Sequence, residues 1–267
     1  MIEKFKRFLI NNGLSENTIV SYLHSVNQFN RGSVEITKSI LFAYKSEIIE
    51  KYKPKTVNLK IQGINKYLEF IGKDKMKLKF IKIQQKNYLE NVISNSDYDF
   101  LKNQLRKDNN VKWYFVVRYL ASTGSRVSEL VQFKVEHVLS GSIDLYTKGG
   151  KIRRIYIPNK LKKESQLWLN SQGKDSGYIF ENKNGNRITT RGIAHQLKEL
   201  GKKYKMNLKV LHPHSFRHLY GKNFIAKYKD IALLADLMGH DSIETTRIYL
   251  RRTSEEQQAI VDKIVDW

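Results

Sequence analysis

The chain has 267 residues, 40% of them hydrophobic, which suits one large or two modest globular domains and excludes a disordered chain. Lys and Arg number 48 against 26 Asp and Glu, a formal net charge of +22, so the expected partner is a polyanion, nucleic acid ahead of an anionic membrane surface. With no cysteine, disulfides, thiolate catalysis and cysteine-held metals are excluded, and with no apolar run of the ~20 residues that span a bilayer and no apolar stretch of a signal peptide at Met1–Lys6, a cytoplasmic protein is expected.

The first part of the chain reads as four amphipathic helices. Phe5, Phe8, Leu9 and Ile10 form the first apolar face, and after Gly13 comes Ser15, a natural N-cap for a stripe of Ile19, Tyr22, Leu23, Val26 and Phe29. Thr37 caps a third helix carrying Ile40, Leu41, Tyr44, Ile48 and Ile49. Pro54 opens a fourth, with Val57, Ile61, Ile64, Tyr67, Leu68 and Ile71, at the first turn where its missing N–H costs nothing. These helices make a domain at 1–75. From there the pattern changes: Lys73, Lys75, Lys77, Lys79 and Lys82 alternate with Leu78, Phe80, Ile81 and Ile83. A basic linker is expected over 76–92, either a strand edge guarded by lysines or, the preferred reading, a strap that lies along phosphates.

A second domain is expected over 93–267. Ser96 or Asp97 restarts a helix through Phe100, Leu101 and Leu105, and a longer helix carries Trp113, Val116, Val117, Tyr119 and Leu120. The period switches to two at Ile143–Tyr146 and Ile155–Ile157, with Gly149-Gly150 between, which reads as a β-hairpin. Helices resume to the end. The fold class is mainly α with a small β-sheet in the C-terminal domain.

Four clusters in this half carry chemistry. In Thr123-Gly124-Ser125-Arg126-Val127-Ser128-Glu129, Gly124 ends a helix and Arg126 opens the next, placed to grip a phosphate bidentately. In Tyr146-Thr147-Lys148-Gly149-Gly150-Lys151-Ile152-Arg153-Arg154, a lysine sits at a hairpin tip. In His212-Pro213-His214-Ser215-Phe216-Arg217-His218, His214 and Arg217 share a helix face and pair a proton acceptor with a second guanidinium. The last is Leu237-Met238-Gly239-His240, followed by Tyr249. Each alone has a bland reading. Arg126 can be a surface residue after a turn, Lys148 an ordinary charged tip, and Tyr249 core filler among 15 tyrosines. Three histidines within one short stretch also raise metal binding, which the missing carboxylate and spacing disfavour.

In order, Arg…Lys…His-x-x-Arg…Gly-His…Tyr resembles the active-site series of the tyrosine recombinases, the lambda-integrase family. The segment Leu14–Tyr22 resembles the start of that family's core-binding domain. With the series starting at the core-binding helices, the resemblance is to Xer-like members, and an arm-binding domain is not expected. Met238, Phe216, Leu219, Tyr220 and Thr147 depart from the residues common at those places, and none of them removes a catalytic group. The resemblance implies a two-domain clamp on double-stranded DNA, with a four-helix core-binding domain and a catalytic domain. It also implies a set of roles. Arg126 and Arg217 bind the scissile phosphate. Lys148 protonates the departing 5′ oxygen, His214 assists at the nucleophile and His240 donates to the phosphate. Tyr249 attacks, and Glu129 supports the arginine region. DNA contacts are expected from Lys73, Lys75, Lys77, Lys79, Lys82 and Lys151.

The chemistry is coherent from below. Guanidinium groups offset charge that builds on phosphate oxygens, and a tyrosine of pKa about 10 needs help to lose its proton. A phosphotyrosine stores the energy of the broken link, so no cofactor or small-molecule substrate is expected. The rivals are a type IB topoisomerase and a non-catalytic DNA-binding protein. A tail helix is expected over 253–267, where Thr253 and Glu256 can form a capping box and Ile260, Val261, Ile264 and Trp267 share a face. Such a helix ordinarily folds back on its own domain; the resemblance implies instead that it docks on a neighbouring subunit. The expectation is therefore a monomer in solution that assembles as a homo-tetramer on paired sites.

Overall fold

In a computed structural model the structure describes residues 1–29, 35–84, 89–146, 152–251 and 254–265. It is mainly α-helical with one two-stranded sheet, and it divides into two compact units, Met1–Gln85 and Lys86–Trp267. No helix among the described residues is long and apolar enough to cross a membrane.

The first unit contains α1 (Ile2–Asn11), α2 (Glu16–Phe29), α3 (Lys38–Lys51) and α4 (Pro54–Phe70). Local chemistry sets their starts. Ser15 Oγ accepts from Thr18 N, Thr37 Oγ1 accepts from Ile40 N, and Pro54 occupies the first turn of α4. The apolar stripes meet in one core that includes Phe5, Leu9, Val26, Leu41, Ile48, Ile61, Ile64 and Leu68. Gly63 lets α2 and α4 cross closely, because a Cβ there would lie 3.2 Å from both Ser25 Cβ and the Tyr22 backbone.

The unit runs past the expected end at 75. After a 3-10 turn at Asp74–Met76 the chain lies along α4, held by two asparagines one heptad apart. Asn65 accepts from Leu78 N and donates to Leu78 O, and Asn58 does the same for Ile81. Leu78 is thereby buried in the helical core. A free linker cannot satisfy its backbone in this way, so this stretch of the expected linker belongs to the first unit. Of its lysines, Lys73 Nζ donates to Ile36 O at 3.1 Å and Lys77 pairs with Asp74 and Glu69. Lys75, Lys79 and Lys82 are exposed.

The second unit contains α5 (Asn95–Lys107), α6 (Val111–Thr123), α7 (Val127–Leu130), α8 (Val135–Ser140), β1 (Ser142–Tyr146), β2 (Ile152–Tyr156), α9 (Asn159–Ser171), α10 (Thr190–Lys203), α11 (Pro213–Tyr228), α12 (Ile231–Met238), α13 (Ile243–Thr246) and α14 (Ser254–Ile264). α5 starts earlier than the expected Ser96 or Asp97, because the Ser94 hydroxyl accepts from Asp97 N. Helix α6 is buried almost all round and packs on α5, α9 and α11. Tyr119 on it meets Phe133 and Phe180 edge-on. β1 and β2 are antiparallel, with Ser142 opposite Tyr156 and Tyr146 opposite Ile152. Helix does not follow the hairpin without a break. Between α9 and α10 the chain turns through Gly177 and Gly185, both at positive φ, and sends Ile179 and Phe180 into the core.

Candidate active site

Four separate segments of the second unit bring Arg126, Glu129, Arg217, His240 and Tyr249 together. Gly124 ends α6 in the left-handed region at φ 60°, where the Tyr220 ring lies 2.5 Å from any Cβ that could be placed on it. Arg126 follows as the N-cap of α7. Its backbone N donates to Glu129 Oε2 at 2.6 Å, so Glu129 in the first turn satisfies a helix-start donor. The guanidinium of Arg126 is then held at two points. Nη1 donates to Glu129 Oε1 at 2.8 Å and Nη2 donates to Gly239 O at 3.0 Å. Its side chain stays 41% exposed.

His214 and Arg217 stand on α11, whose start is capped by His212 with Pro213 in its first turn. Arg217 is 1% exposed. It donates through Nη1 to Gly124 O and through Nη2 to Met238 O at 2.6 Å and His240 Nε2 at 3.0 Å. All three acceptors are neutral. Burial, then the cations Arg153 and Arg126, bring its pKa down to about 10, so it remains charged near neutral pH.

His240 follows Gly239, which closes α12 at φ 60°. Arginine can only donate, so His240 Nε2 accepts from Arg217 and its proton sits on Nδ1, facing Thr246 Oγ1 at 2.8 Å. Desolvation and the neighbouring arginines lower His240 to about 4, and the ring is neutral. In this arrangement His240 is an acceptor. Donation to a phosphate requires the proton on Nε2.

Tyr249 lies on a 3-10 turn, Arg247–Leu250, after α13. It is 4% exposed and packs with Leu89, Leu234 and Met238. Its ring is nearly parallel to His240 at 6.4 Å and 5.5 Å from the His218 ring. Gly221 on α11 makes room for it, since a Cβ there would come 2.7 Å from the tyrosine ring. Burial raises the phenol to about 12, against the pull of Arg217. His214 is exposed and reaches the cluster through His218, whose ring meets it edge-on at 4.2 Å. Partial desolvation, then the charge of Arg217 and the proximity of His212 and Arg126, keep His214 below the usual imidazole range.

The expected lysines Lys148 and Lys151 lie outside the described residues. Lys73, Lys75, Lys77, Lys79 and Lys82 belong to the first unit. Among the described residues no group of three or more His, Asp or Glu side chains could hold a metal ion.

Two residues of this site lie in the clusters the sequence singled out but were given no catalytic or supporting role there. Arg153 on β2 is 5% exposed and pairs with the Glu129 carboxylate through Nη1. Burial opposes ionisation of Glu129, but Arg153 and Arg126 outweigh it and hold the carboxyl below its ordinary value. The signal was available: period two puts Arg153 on the inward face with Ile155. His218 is the other. Its Nδ1 is buried without a hydrogen-bond partner, and desolvation followed by the charges of its neighbours lowers it to about 3.

Residues 87–256 match the phage integrase family. The chain is 28% identical to the tyrosine recombinase XerA of Pyrococcus furiosus, over 98% of this chain and 93% of that protein. Its fold is similar to the Tn1549 transposon integrase solved with transposon right end DNA, at a TM-score of 0.73 and 16% identity, with 98% of each chain covered. It is also similar to the XerH site-specific recombinase bound to its difH substrate, at a TM-score of 0.70 and 17% identity, covering 99% of this chain and 95% of that one. With the family match spanning well over half of its length, the chain belongs to the phage integrase family, as a Xer-like tyrosine recombinase.

Proposed function

We propose that Tyr249 cuts DNA by attacking a phosphodiester held between Arg126 and Arg217. The observation that supports this most is the convergence of Arg126, Arg217, His240 and Tyr249 from four separate segments. In the step, the Tyr249 Oη–P bond forms and the P–O5′ bond breaks. The phenolic proton leaves with help from His214, and the 5′ oxygen takes a proton from Lys148. The two guanidinium groups offset the charge that grows on the non-bridging oxygens. Reversal with a 5′ hydroxyl from a second strand joins the DNA, and the phosphotyrosine conserves the energy of the broken link.

An anion beside His240 raises its pKa and favours a proton on Nε2, which turns the acceptor seen here into the expected donor. Arg217 is covered in this arrangement, so a phosphate reaches it only after a neighbouring segment moves. The short turn that carries Tyr249 is the segment proposed. We take the two units to close on opposite faces of double-stranded DNA, with Lys75, Lys79 and Lys82 along the backbone and Lys151 near the cut. Four protomers would assemble on paired sites. On α14, Val261 and Ile264 are exposed, as is Val265 just after it, a face suited to docking on a neighbouring protomer, while Lys222 pairs with Glu256 near the start of the same helix. Light scattering of a chain lacking residues 253–267, mixed with paired sites, tests this. Loss of the tetramer with single-site binding kept is expected, and normal assembly would return α14 to local packing.

The test of the nucleophile uses a DNA nicked next to the cleavage site, which loses the rejoining end. The wild-type chain is expected to become trapped as a covalent adduct. Tyr249→Phe should bind equally well and form none. An adduct from the Phe variant would place the nucleophile elsewhere, with Tyr220 the next residue to replace.

A further inference from the structure

We propose that Arg153 is a positioning residue that sets the plane of the Arg126 guanidinium; this rests on the reading of Arg126 as a phosphate clamp. Arg126 is held by two acceptors, Glu129 Oε1 and Gly239 O. Arg153 touches the supports of both. Its Nη1 donates to the Glu129 carboxylate, so the carboxylate is shared between two guanidinium groups and fixed from the side away from solvent. Its Nε and Nη2 donate to Leu237 O at 3.3 and 2.9 Å, at the end of α12. Its aliphatic stem lies against Gly239, where any Cβ would run into Arg153 Cδ and come 2.8 Å from Nε.

Arg153 therefore joins three segments, the α7 start, the α12 end and β2, at the point where they hold one catalytic guanidinium. The side chain is 3% exposed, so it is not itself placed to grip DNA. Its electrostatic effect follows from sharing. A lone Glu129 would bind Arg126 tightly enough to compete with a phosphate. With Arg153 neutralising the same carboxylate, Arg126 keeps its orientation and retains attraction for an anion. Lysine substitutes only in part, because a single ammonium cannot hold the carboxylate and the carbonyl together with a fixed fork.

The test compares two nicked substrates, one with an ordinary scissile phosphodiester and one with a neutral methylphosphonate in its place. The neutral centre has less need of a guanidinium clamp, so a clamp defect is relieved on it, whereas a damaged fold fails on both. Arg126→Ala serves as the reference for a clamp defect. Arg153→Met is read alongside Arg153→Met/Glu129→Gln, which removes both buried charges together and keeps an amide that can accept from Arg126. Both are expected to bind DNA and to form the covalent adduct on the phosphodiester roughly 10–100-fold more slowly than wild type, the scale of a small misplacement at a reacting centre. On the methylphosphonate they are expected to fall within about threefold of wild type. Arg153→Lys should lie between. Wild-type rates on the phosphodiester in either variant, or an equal loss on both substrates in the folded double variant, would overturn the proposal. A wild-type chain that traps neither substrate would instead overturn the reading of Tyr249 and Arg126 on which it rests.

Discussion

The two arginines expected to share one phosphate live in opposite surroundings. Arg126 is partly open to solvent and paired with a carboxylate that Arg153 also neutralises. Arg217 is buried, and its acceptors are two carbonyls and a neutral imidazole. One charge is compensated and oriented from within the protein. The other is kept in a low-dielectric place without a carboxylate on it, which costs stability and leaves it strongly attractive to any anion that arrives. Residue type alone does not separate these roles. Burial and partner chemistry do.

This contrast can be broken most directly by removing each guanidinium. Arg217→Ala is expected to lose adduct formation by roughly 10²–10³-fold or more, with Arg126→Ala the milder of the two, and both should keep most of their DNA affinity. Thermal melting supplies the second readout. Arg217→Met removes a buried charge and should leave the melting temperature unchanged or higher, whereas Glu129→Gln breaks a charge network and should lower it. Equal rates for Arg217→Ala and Arg126→Ala, with equal melting shifts for Arg217→Met and Glu129→Gln, would remove the distinction.

The pH dependence sharpens the same point at intermediate size. His240 is held near 4 by desolvation first and then by the arginines around it, and His218 near 3 by desolvation first and then by the neighbouring imidazoles and Arg217. In the unfolded chain both return to about 6.5. Between these values the unfolded state binds more protons, so stability is present above about 6.5 and is lost as pH falls through the window toward the folded values. Melting temperature should drop along that course, and His240→Gln should remove part of the slope. Nitrogen NMR of the imidazoles should show His240 protonated on Nδ1 without DNA, and should move its titration upward when a scissile phosphate is bound. A His240 that titrates near 6.5 without DNA would refute the account of its surroundings.

The smallest effect concerns charge that acts far from the reacting atoms. Lys75, Lys79 and Lys82 are exposed, whereas Lys73 and Lys77 already have partners in the first unit. Replacing the first three with Gln should flatten the slope of log affinity against log salt by up to about 0.9 for each phosphate no longer neutralised, with little change in cleavage once DNA is bound. Replacing Lys73 and Lys77 should change it less. If the two sets behave alike, the internal pairs seen here do not survive DNA binding.

Much of this molecule was legible in advance, and for local reasons. The starts at Ser15, Thr37 and Pro54 and the stop at Gly124 follow from caps, a proline at a first turn and a glycine in the left-handed region. The hairpin followed from a change of period. The misses also have local causes. The start of α5 moved to Ser94 because several hydroxyl and carboxyl side chains there can cap equally well. The end of the first unit moved because Asn58 and Asn65 read as polar positions on α4, and nothing in their spacing says they will hold a strand-like segment.

Order along the chain identified the candidate chemical groups, since each lies in a short motif whose residue types suit phosphate chemistry. Their joint arrangement belongs to the tertiary structure. Arg126 and Gly239 O are 113 positions apart, and Glu129 and Arg153 are 24 apart. Periodicity reports which face of an element is apolar, over a few turns. It does not report which distant carbonyl will meet a guanidinium, or whether that guanidinium ends up in solvent or beneath it. The opposite burial of Arg126 and Arg217, the acceptor state of His240 and the place of Arg153 are therefore set by packing between segments, because the field at each charge is a sum over neighbours that only the folded chain assembles.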